Sequence, residues 1–227
     1  MSGDVDLAAT GALLADPARA RILIALLGGE QLPAGELATR AGISASGASN
    51  HLAKLLRGGL VDVRVSGRRR LYRLGAPEVA AALEALGRIA QPTEARSLRA
   101  AEQGRALERA RTCYDHLAGR LGVLVTDRLV ARRFLRERDG SYTVTAAGRR
   151  WFAETLGIDT DALDGRRRLA FACQDLTERR AHLAGSLGAA LAESLLRERL
   201  LERVPGGRSL RATPAGTAWL GDFGVTL

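Results

Sequence analysis

The sequence is poor in aromatic side chains, although its hydrophobic content is ordinary. Aromatic residues make up 4% of the 227 positions and hydrophobic residues 46%. The buried cores must therefore be built from leucine, alanine and valine, and the long stretches rich in Ala, Leu, Arg and Glu favour helix. The sequence predicts a mainly α fold with short β-hairpins (α+β), in a chain long enough for more than one unit.

Long apolar runs and a signal sequence are also missing. No run reaches the roughly 18 residues of a membrane span, and the N-terminal "MSGDVDLAAT" lacks the basic-then-apolar order of a secretory signal. We therefore expect a cytoplasmic protein with no membrane partner. Its two cysteines, Cys113 and Cys173, are too few for a disulfide framework, and a reducing compartment would keep them as thiols.

Lysine is nearly absent, so the basic charge is carried by arginine. The net charge is +9, and Lys54 is the single lysine among 34 basic residues. An excess of positive charge favours polyanionic partners, and clustering is more informative than the total. Arginines crowd positions 64–73, which makes this segment the first candidate for contact with nucleic acid.

Residues 16–59 have the pattern of a helix-turn-helix. Asp16 followed by Pro17 predicts a helix start, and Gly42 predicts a tight turn between two further helices. The second of these begins at the N-cap Ser44 with small polar residues, which let a helix end enter the major groove of DNA. We interpret it as a recognition helix. The residues predicted to contact DNA are Ser44, Ser46, Gly47, Ser49, Asn50, His51 and Lys54.

The segment "LVDVRVSGRRRLYRL" alternates apolar and polar residues about a Ser66-Gly67 turn. This pattern predicts a β-hairpin, with Arg68, Arg69 and Arg70 at its tip. Such a wing can follow the DNA backbone and neutralise phosphates.

The stretch "LATRAGISASGASNHLAKLLRGGLV" and its wing resemble the ArsR/SmtB family of bacterial transcriptional regulators. The resemblance covers about residues 5–90. It implies a winged helix-turn-helix that forms a homodimer and reads a palindromic operator in double-stranded DNA. The dimer would be joined through the first helix (about residues 5–15) and the helix after the wing (about residues 77–89).

The metal sites that this resemblance would bring are absent. The family's metal sensors carry Cys-Val-Cys at the start of the helix before the turn, where this chain has "PAGEL", with Pro33 and Gly35 in place of the thiolates. The zinc-type site on the last family helix needs Asp and His, but "APEVAAALEALGRIA" has no histidine. Any sensing must therefore use other residues.

The C-terminal part of the sequence is an internal repeat. "HLAGRLG" and "HLAGSLG" each precede a helical stretch, a turn and a capped helix with one tryptophan, Trp151 or Trp219. We predict the order helix, helix, hairpin, helix in each half, as two winged-helix-like repeats about a pseudo-twofold axis. The predicted domains are residues 1–91 for DNA binding and dimerisation, a helical linker 92–112, and an effector domain 113–227 with repeats 113–157 and 173–223.

The repeat contains both cysteines and two of the three histidines. Cys113 and His116 are three apart, so we predict that they project from one face of a helix. If the halves face each other, these two and Cys173 and His182 could converge as a Cys₂His₂ metal site. Two alternatives stay open: repeated structural positions, or an organic or redox effector beside the thiols.

Asp115 and Asp175 each follow a cysteine by two residues. Either they are carboxylates favoured by a helix N-terminus, or they orient the histidines as hydrogen-bond acceptors. The candidate effector residues are Cys113, Asp115, His116, Cys173, Asp175 and His182.

The sequence thus predicts a non-enzymatic, sequence-specific DNA-binding regulator, a homodimeric repressor released from its operator by an effector sensed in the C-terminal domain. No cofactor is certain, and a metal ion or a small organic molecule are both candidates. The alternatives are a constitutive DNA-binding protein without an effector, and an enzyme with Cys113 as nucleophile and His116 as base.

Overall fold

The computed structural model of this protein describes residues 5–91, 97–163, 165 and 167–227. The chain divides into two compact units, one ending at Leu83 and the other beginning at Glu84. The boundary expected at residue 91 thus falls earlier, inside a helix. Residues 92–96 of the expected linker lie outside the described residues, and most of the rest of the linker forms a helix of the second unit.

The first unit has the element order of a winged helix-turn-helix, which confirms that part of the predicted fold. Its last helix, α5, contains the boundary between the units. The elements are α1 (Leu7–Leu14), α2 (Pro17–Leu26), β1 (Leu32–Pro33), α3 (Ala34–Ala41), α4 (Ala45–Arg57), β2 (Val61–Ser66), β3 (Arg69–Leu74) and α5 (Pro77–Ile89).

Local sequence signals fix the ends of these helices. The Asp16 carboxylate accepts hydrogen bonds of 2.9 Å from the backbone N–H groups of Ala18 and Arg19 at the start of α2. Gly42 ends α3 in the left-handed conformation, with φ of 64°, which a glycine adopts without strain. Because α4 begins only three residues later, the two helices meet at a tight turn.

Leucines and isoleucines from the three central helices form the core of the first unit. Ile22 and Leu23 of α2, Leu37 of α3, and Leu52 and Leu55 of α4 are each at most 1% exposed. The strands form an antiparallel sheet in the order β1-β3-β2, and the β2–β3 hairpin closes with Ser66 opposite Arg69. Strand β3 contacts α2 and α3, and β2 contacts α4, so the sheet packs against the helices.

The second unit begins with the C-terminal part of α5. The whole of α6 (Leu98–Arg109) comes next, and the two halves of the repeat follow it. The first half contains β4 (Arg111–Cys113), β5 (His116–Ala118), α7 (Gly119–Ala131), β6 (Leu135–Arg138), β7 (Ser141–Val144) and α8 (Ala146–Leu156). The second half contains β8 (Phe171–Gln174), β9 (Ala181–Ala184), α9 (Ser186–Arg197), β10 (Leu201–Arg203), β11 (Leu210–Ala212) and α10 (Pro214–Phe223).

Each half therefore reads hairpin, helix, hairpin, helix, and the predicted first helix of each repeat is wrong. Tyr114 explains the error in the first half, because its φ of 59° turns the chain between β4 and β5 without a glycine to mark the turn. The predicted capped helices are present. Thr145 and Thr213 each accept a 3.0 Å hydrogen bond from the N–H of the glycine three residues later.

The two halves exchange their strand pairing. Phe171, at the start of β8 in the second half, pairs with Ser141 of the first half. Arg111 of the first half occupies the position equivalent to Phe171, and Ser209 of the second half the position equivalent to Ser141. These two residues form the matching antiparallel bridge. This reciprocity is what a pseudo-twofold axis between two repeats produces, and it makes the halves one interlocked unit.

The core of the second unit is continuous across both halves. Trp151 and Trp219 are packed against it, and their ring centroids lie 6.5 Å apart. Phe223 stacks on both tryptophans, at 5.0 Å and 5.4 Å. Among the described residues, no helix has the length and apolar character needed to cross a membrane.

Candidate functional site

The N-terminal end of α4 presents small polar side chains to solvent. Ser44, Ser46, Ser49 and Asn50 are exposed, and the Ser44 hydroxyl accepts a 3.1 Å hydrogen bond from the N–H of Gly47. That bond satisfies one of the free N–H donors at the start of the helix. This surface is polar and carries only small side chains.

Two of the predicted DNA-contacting residues lie one turn further along α4, in different surroundings. Lys54 is exposed. His51 is half-buried, and its Nδ1 lies 3.6 Å from Oδ1 of Asp16, the carboxylate that caps α2. His51 therefore packs towards α2, although the sequence places it among the residues predicted to contact DNA.

The three arginines at the tip of the wing have no acidic partner within the described residues. Arg68, Arg69 and Arg70 are exposed, and none makes a side-chain hydrogen bond or ion pair within the described chain. Arg73 differs, because it donates to Oδ2 of Asp62 across the hairpin at 2.7 Å. The charge at the tip thus remains available to an external anion.

A groove runs between the wing and α4, with a cavity volume of about 530 Å³. Ser49 and Ala53 of α4 line one side, and the three wing arginines line the other. The predicted recognition helix and wing therefore face a common concave surface.

In the second unit the cysteines and histidines lie on β-hairpins, which corrects the helical placement predicted for Cys113 and His116. Cys113 is the directly opposed partner of His116 in the β4–β5 ladder. Cys173 and His182 are opposed in the same way in β8–β9, although nine positions separate them in the sequence. Opposed residues on a hairpin have neighbouring side chains, so each half supplies one cysteine–histidine pair.

The two pairs converge on one point. The sulfur atoms of Cys113 and Cys173 are 4.0 Å apart, and the imidazole rings of His116 and His182 have centroids 5.1 Å apart. One ligand atom from each of the four side chains can be chosen so that all lie within 4.8 Å of one another. We call this set, Cys113, His116, Cys173 and His182, the Cys–His cluster.

Carboxylates flank the histidines on their outer side. Oδ1 of Asp115 lies 3.3 Å from Nδ1 of His116, and Oδ2 of Asp175 lies 3.3 Å from Nδ1 of His182. Asp115 also accepts from Arg167 at 2.7 Å. Burial opposes ionisation of Asp115, but the hydrogen bonds from His116 and Arg167 outweigh it and lower the pKa of this carboxyl. Asp115 lies in the β4–β5 turn, where its contacts favour the orienting role weighed in the sequence. Asp175 has contacts of both kinds, because its carboxylate faces His182 and also accepts from the N–H of Gly119, the first residue of α7.

Asp175 is also the centre of a buried network. It is fully buried, and both its oxygens accept from Nη2 of Arg111 at 3.0 Å. It further accepts from the backbone N–H groups of Gly119 and Thr177, at 2.7 and 2.8 Å. Desolvation raises the pKa of Asp175, but the His182 contact, the Arg111 charge and the backbone N–H groups of Glu178 and Thr177 lower it well below its usual range.

The two thiols are not equivalent. Cys113 is 3% exposed, and the hydrogen bond to Cys173 together with burial raises the pKa of the Cys113 thiol. The same hydrogen bond, helped by the two neighbouring imidazoles, lowers the pKa of Cys173. The two pKa shifts run in opposite directions, so Cys173 is the more acidic thiol of the pair. Burial lowers the pKa of His182, but Asp175 and the Cys173 thiolate outweigh it and raise that pKa overall.

Glycines of the repeated "HLAG-x-LG" stretch bring the two halves this close. A β-carbon on Gly122 would lie 3.5 Å from Cβ of His182, and one on Gly188 would lie 3.2 Å from Cβ of His116. Each glycine also approaches the backbone carbonyl of its own hairpin, Leu117 or Leu183, too closely for a side chain. The cluster is thus assembled by the same repeat that shapes the fold.

Comparison with known proteins places this architecture in a family. A family of helix-turn-helix domains matches residues 14–64. Over 213 residues, which are 93% of this chain and 93% of its relative, the sequence is 41% identical to the uncharacterized HTH-type transcriptional regulator YdfF of Bacillus subtilis. The chain belongs to the HTH-type transcriptional regulators. The match to YdfF spans both units of this regulator.

The first unit has further relatives. The HTH-type transcriptional regulator CmtR of Mycobacterium tuberculosis is 45% identical over 83 residues, which are 37% of this regulator and 70% of CmtR. A solved structure of the homodimeric winged helix-turn-helix domain of Mb0332 from Mycobacterium bovis, described as a possible ArsR-family regulator, is 31% identical. It covers 39% of this regulator and 89% of that chain, with a TM-score of 0.34. The sequence matches to YdfF and CmtR confirm the resemblance to ArsR-type regulators, and this protein is a DNA-binding transcriptional regulator.

Three residues that the sequence did not indicate, Glu84, Arg88 and Arg208, connect the Cys–His cluster to α5. Arg208 donates to the carbonyl of Thr112 at 3.4 Å and also to the buried carboxylate of Glu84. Arg88 donates to the carbonyl of Gln174 at 3.3 Å. Thr112 and Gln174 are each adjacent to a cluster cysteine. No local pattern indicates these contacts, because 86 to 124 positions separate the partners.

Proposed function

We propose that this regulator binds duplex DNA with the N-terminal end of α4 and the β2–β3 wing, as a homodimer whose operator affinity is set by an effector at the Cys–His cluster. The observation that carries the DNA-binding part is the unpaired arginine triplet of the wing. It borders the same groove as the small polar face of α4.

The shape and chemistry of α4 suit the major groove. Serine hydroxyls and the Asn50 amide are short donors and acceptors, and an asparagine amide can pair bidentately with adenine. Ser44, Ser46 and the helix N-terminus can approach phosphates. We therefore assign base readout to Ser49 and Asn50. Arg68, Arg69 and Arg70 supply charge that is independent of base sequence.

The homodimer is supported by α1. No residue of this helix is buried, although it reads "LAATGALL", and Leu7 is 75% exposed. An apolar helix with no buried residue is explained by pairing with the same helix of a second copy, as the resemblance to ArsR-type regulators implies. Two recognition helices related by a twofold axis would read a palindromic operator.

The effector part rests on the position of the Cys–His cluster next to α5. Through Arg208 and Arg88, α5 contacts the residues adjacent to Cys113 and Cys173. A ligand that binds one arrangement of these hairpins more tightly than another will shift the regulator between two states of DNA affinity. We assign the free state as the operator-binding repressor and the loaded state as the released form.

A catalytic use of the cluster fits poorly. A nucleophilic cysteine must reach its substrate, but Cys113 is 3% exposed and its thiol pKa is raised. His116, the general base considered in the sequence, is also buried. We therefore propose a non-enzymatic role for these residues.

The DNA-binding part is tested by a charge-removal triple variant, Arg68→Ala with Arg69→Ala and Arg70→Ala. Binding to duplex DNA should weaken for all sequences, and the slope of log affinity against log salt should fall by about 1 for each lost phosphate contact. The matched control removes three exposed arginines of the second unit, Arg136, Arg138 and Arg150. Equal salt slopes for the two variants would contradict the wing assignment.

A further inference from the structure

The cluster side chains have the donor set, spacing and surroundings of a metal centre. We propose that Cys113, His116, Cys173 and His182 together bind one divalent d¹⁰ metal ion of the Zn²⁺ class in a closed tetrahedral site. The inference rests on the proposed function only where it names this metal ion as the effector that sets operator affinity. The metal binding itself is argued from geometry.

The distances match a tetrahedral site. With metal–sulfur bonds of about 2.3 Å, two thiolates on a tetrahedral ion lie about 3.8 Å apart. The two sulfurs here are 4.0 Å apart, and the four donor atoms lie within 4.8 Å of one another. Small rotations of the side chains close the set around an ion. A disulfide would instead require the sulfurs to approach to about 2.05 Å.

The histidines offer the correct nitrogen. His116 is 7% exposed and His182 is 1% exposed. Nδ1 of each lies 3.3 Å from its carboxylate, with hydrogen-bond geometry at His116 and only an ion-pair distance at His182. Nε2 of each is buried without a hydrogen-bond partner among the described residues. A buried, unpaired ring nitrogen costs free energy unless something binds it. A metal ion at the centre of the cluster would satisfy both.

The carboxylates complete the arrangement. In protein zinc sites the second ring nitrogen of a ligating histidine usually donates to a carboxylate or carbonyl, which fixes the tautomer and the ring orientation. Asp115 and Asp175 stand 3.3 Å from those nitrogens. They are positioning residues, and the duplication has placed one in each half.

The donor set selects the class of ion. Two thiolates and two neutral imidazoles suit Zn²⁺ and related thiophilic ions, whereas Mg²⁺ and Ca²⁺ require oxygen ligands. Two thiolate charges neutralise a divalent ion, so a buried site carries no net charge. All four tetrahedral positions are filled by protein, which is the arrangement of a structural or regulatory site and leaves no position for a substrate.

An ion held in this way would join the β4–β5 and β8–β9 hairpins, which come from different halves of the repeat. Both hairpins contact α5 through residues adjacent to the cysteines, as described above. Occupancy would thus fix the position of these hairpins against α5, the helix that the resemblance assigns to the dimer. This is a physical route by which the metal can alter DNA affinity.

The test titrates Co²⁺ into the full-length protein, reduced and freed of metal. Co²⁺ replaces Zn²⁺ in tetrahedral sites and reports thiolate ligation by absorption. We expect one equivalent to bind per chain, with sulfur-to-metal charge transfer and tetrahedral ligand-field bands that Zn²⁺ then abolishes. Cys113→Ser, Cys173→Ser, His116→Gln and His182→Gln should each lose or strongly alter this spectrum. The matched control, His51→Gln, lies in the first unit and should bind as the wild type does.

Absence of the charge-transfer band, or a band of unchanged position and intensity in Cys173→Ser, would overturn the proposal. If the serine variants do not fold, maleimide labelling of the wild-type thiols replaces them. The rate of labelling should fall as the fraction of sites that hold Zn²⁺ rises. Equal labelling rates with and without Zn²⁺ would refute the site. Operator affinity is measured separately. A bound ion that leaves operator affinity unchanged would overturn the effector role while the metal site stands.

Discussion

Arg111 and Asp175 form a fully buried ion pair between the two halves of the repeat, with two hydrogen bonds of 3.0 Å over a separation of 64 positions. Arg111 also donates to the carbonyl of Leu107 at 3.0 Å. The pair therefore ties the first hairpin to both α6 and the second hairpin. Removing one charge would leave the other buried without its partner, which costs more than the intact pair contributes.

We expect Asp175→Asn to destabilise the second unit by about 3 kcal/mol or more. The control is Asp127→Asn, because Asp127 pairs with Arg180 at an exposed position, where such a pair contributes less than about 1 kcal/mol. Both tryptophans of the chain lie in the second unit, so urea unfolding followed by tryptophan fluorescence reports on it. Similar losses in the free energy of unfolding for the two variants would show that the buried pair of Asp175 contributes no more to stability than an exposed pair.

The close approach of the halves at Gly188 leads to a second prediction. A β-carbon there would lie 2.5 Å from the carbonyl oxygen of Leu183, which is backbone and cannot move aside. Gly188→Ala should therefore destabilise the second unit by about 1–3 kcal/mol and weaken Co²⁺ binding, since the displaced hairpin carries His182. Unfolding and Co²⁺ titration check the two effects.

The control for Gly188 is Gly104 of α6, where an added β-carbon meets nothing within 4 Å. Gly104→Ala should stabilise by about 0.5–1 kcal/mol, because alanine is the better helix former. Loss of stability in both variants would mean that the tight contact at Gly188 is not the cause.

The first unit could be predicted closely because its signals are local. Ser44 as an N-cap, Gly42 as a left-handed turn and the arginine-rich hairpin each act within a few residues, and the structure has all three where expected. The cluster was predicted as a set of residues, but its scaffold was wrong. A spacing of three between Cys113 and His116 fits one face of a helix and the two sides of a tight hairpin equally well.

Features that depend on long-range contacts could not be predicted from the sequence. Tyr114 adopts a left-handed conformation that no local residue preference indicates. Glu84 appears in the sequence as one acidic residue of an amphipathic helix, yet it is 2% exposed and paired with Arg208. Only the folded chain shows that its partner comes from the β10–β11 connection.

Glu84 is accordingly expected to carry the coupling between the cluster and α5. Glu84→Gln keeps the size of the side chain and removes the charge that holds Arg208. We expect this variant to bind one equivalent of Co²⁺ but to lose about 0.5–2 kcal/mol of the Zn²⁺-dependent change in operator affinity. Operator binding with and without Zn²⁺, by fluorescence anisotropy, measures this change.

Glu78→Gln is the matched control for Glu84, because Glu78 lies on the same helix and is exposed. It should preserve both metal binding and the operator response. An unaltered response in Glu84→Gln would show that the coupling does not pass through Arg208.

The exposed apolar face of α1 leads to the last prediction. In a twofold dimer formed through this helix, a glutamate in place of Leu7 would bury a charge at the interface in both copies. We expect Leu7→Glu to weaken the dimer on the order of tenfold or more, and to weaken operator binding with it, because one recognition helix alone reads half a palindrome. Sedimentation velocity over a concentration series measures the association. Val65→Glu, which adds the same charge at a residue of the wing that is 67% exposed, should leave the dimer intact and impair only DNA binding. If Leu7→Glu sediments as the wild type does, the dimer is not formed through α1.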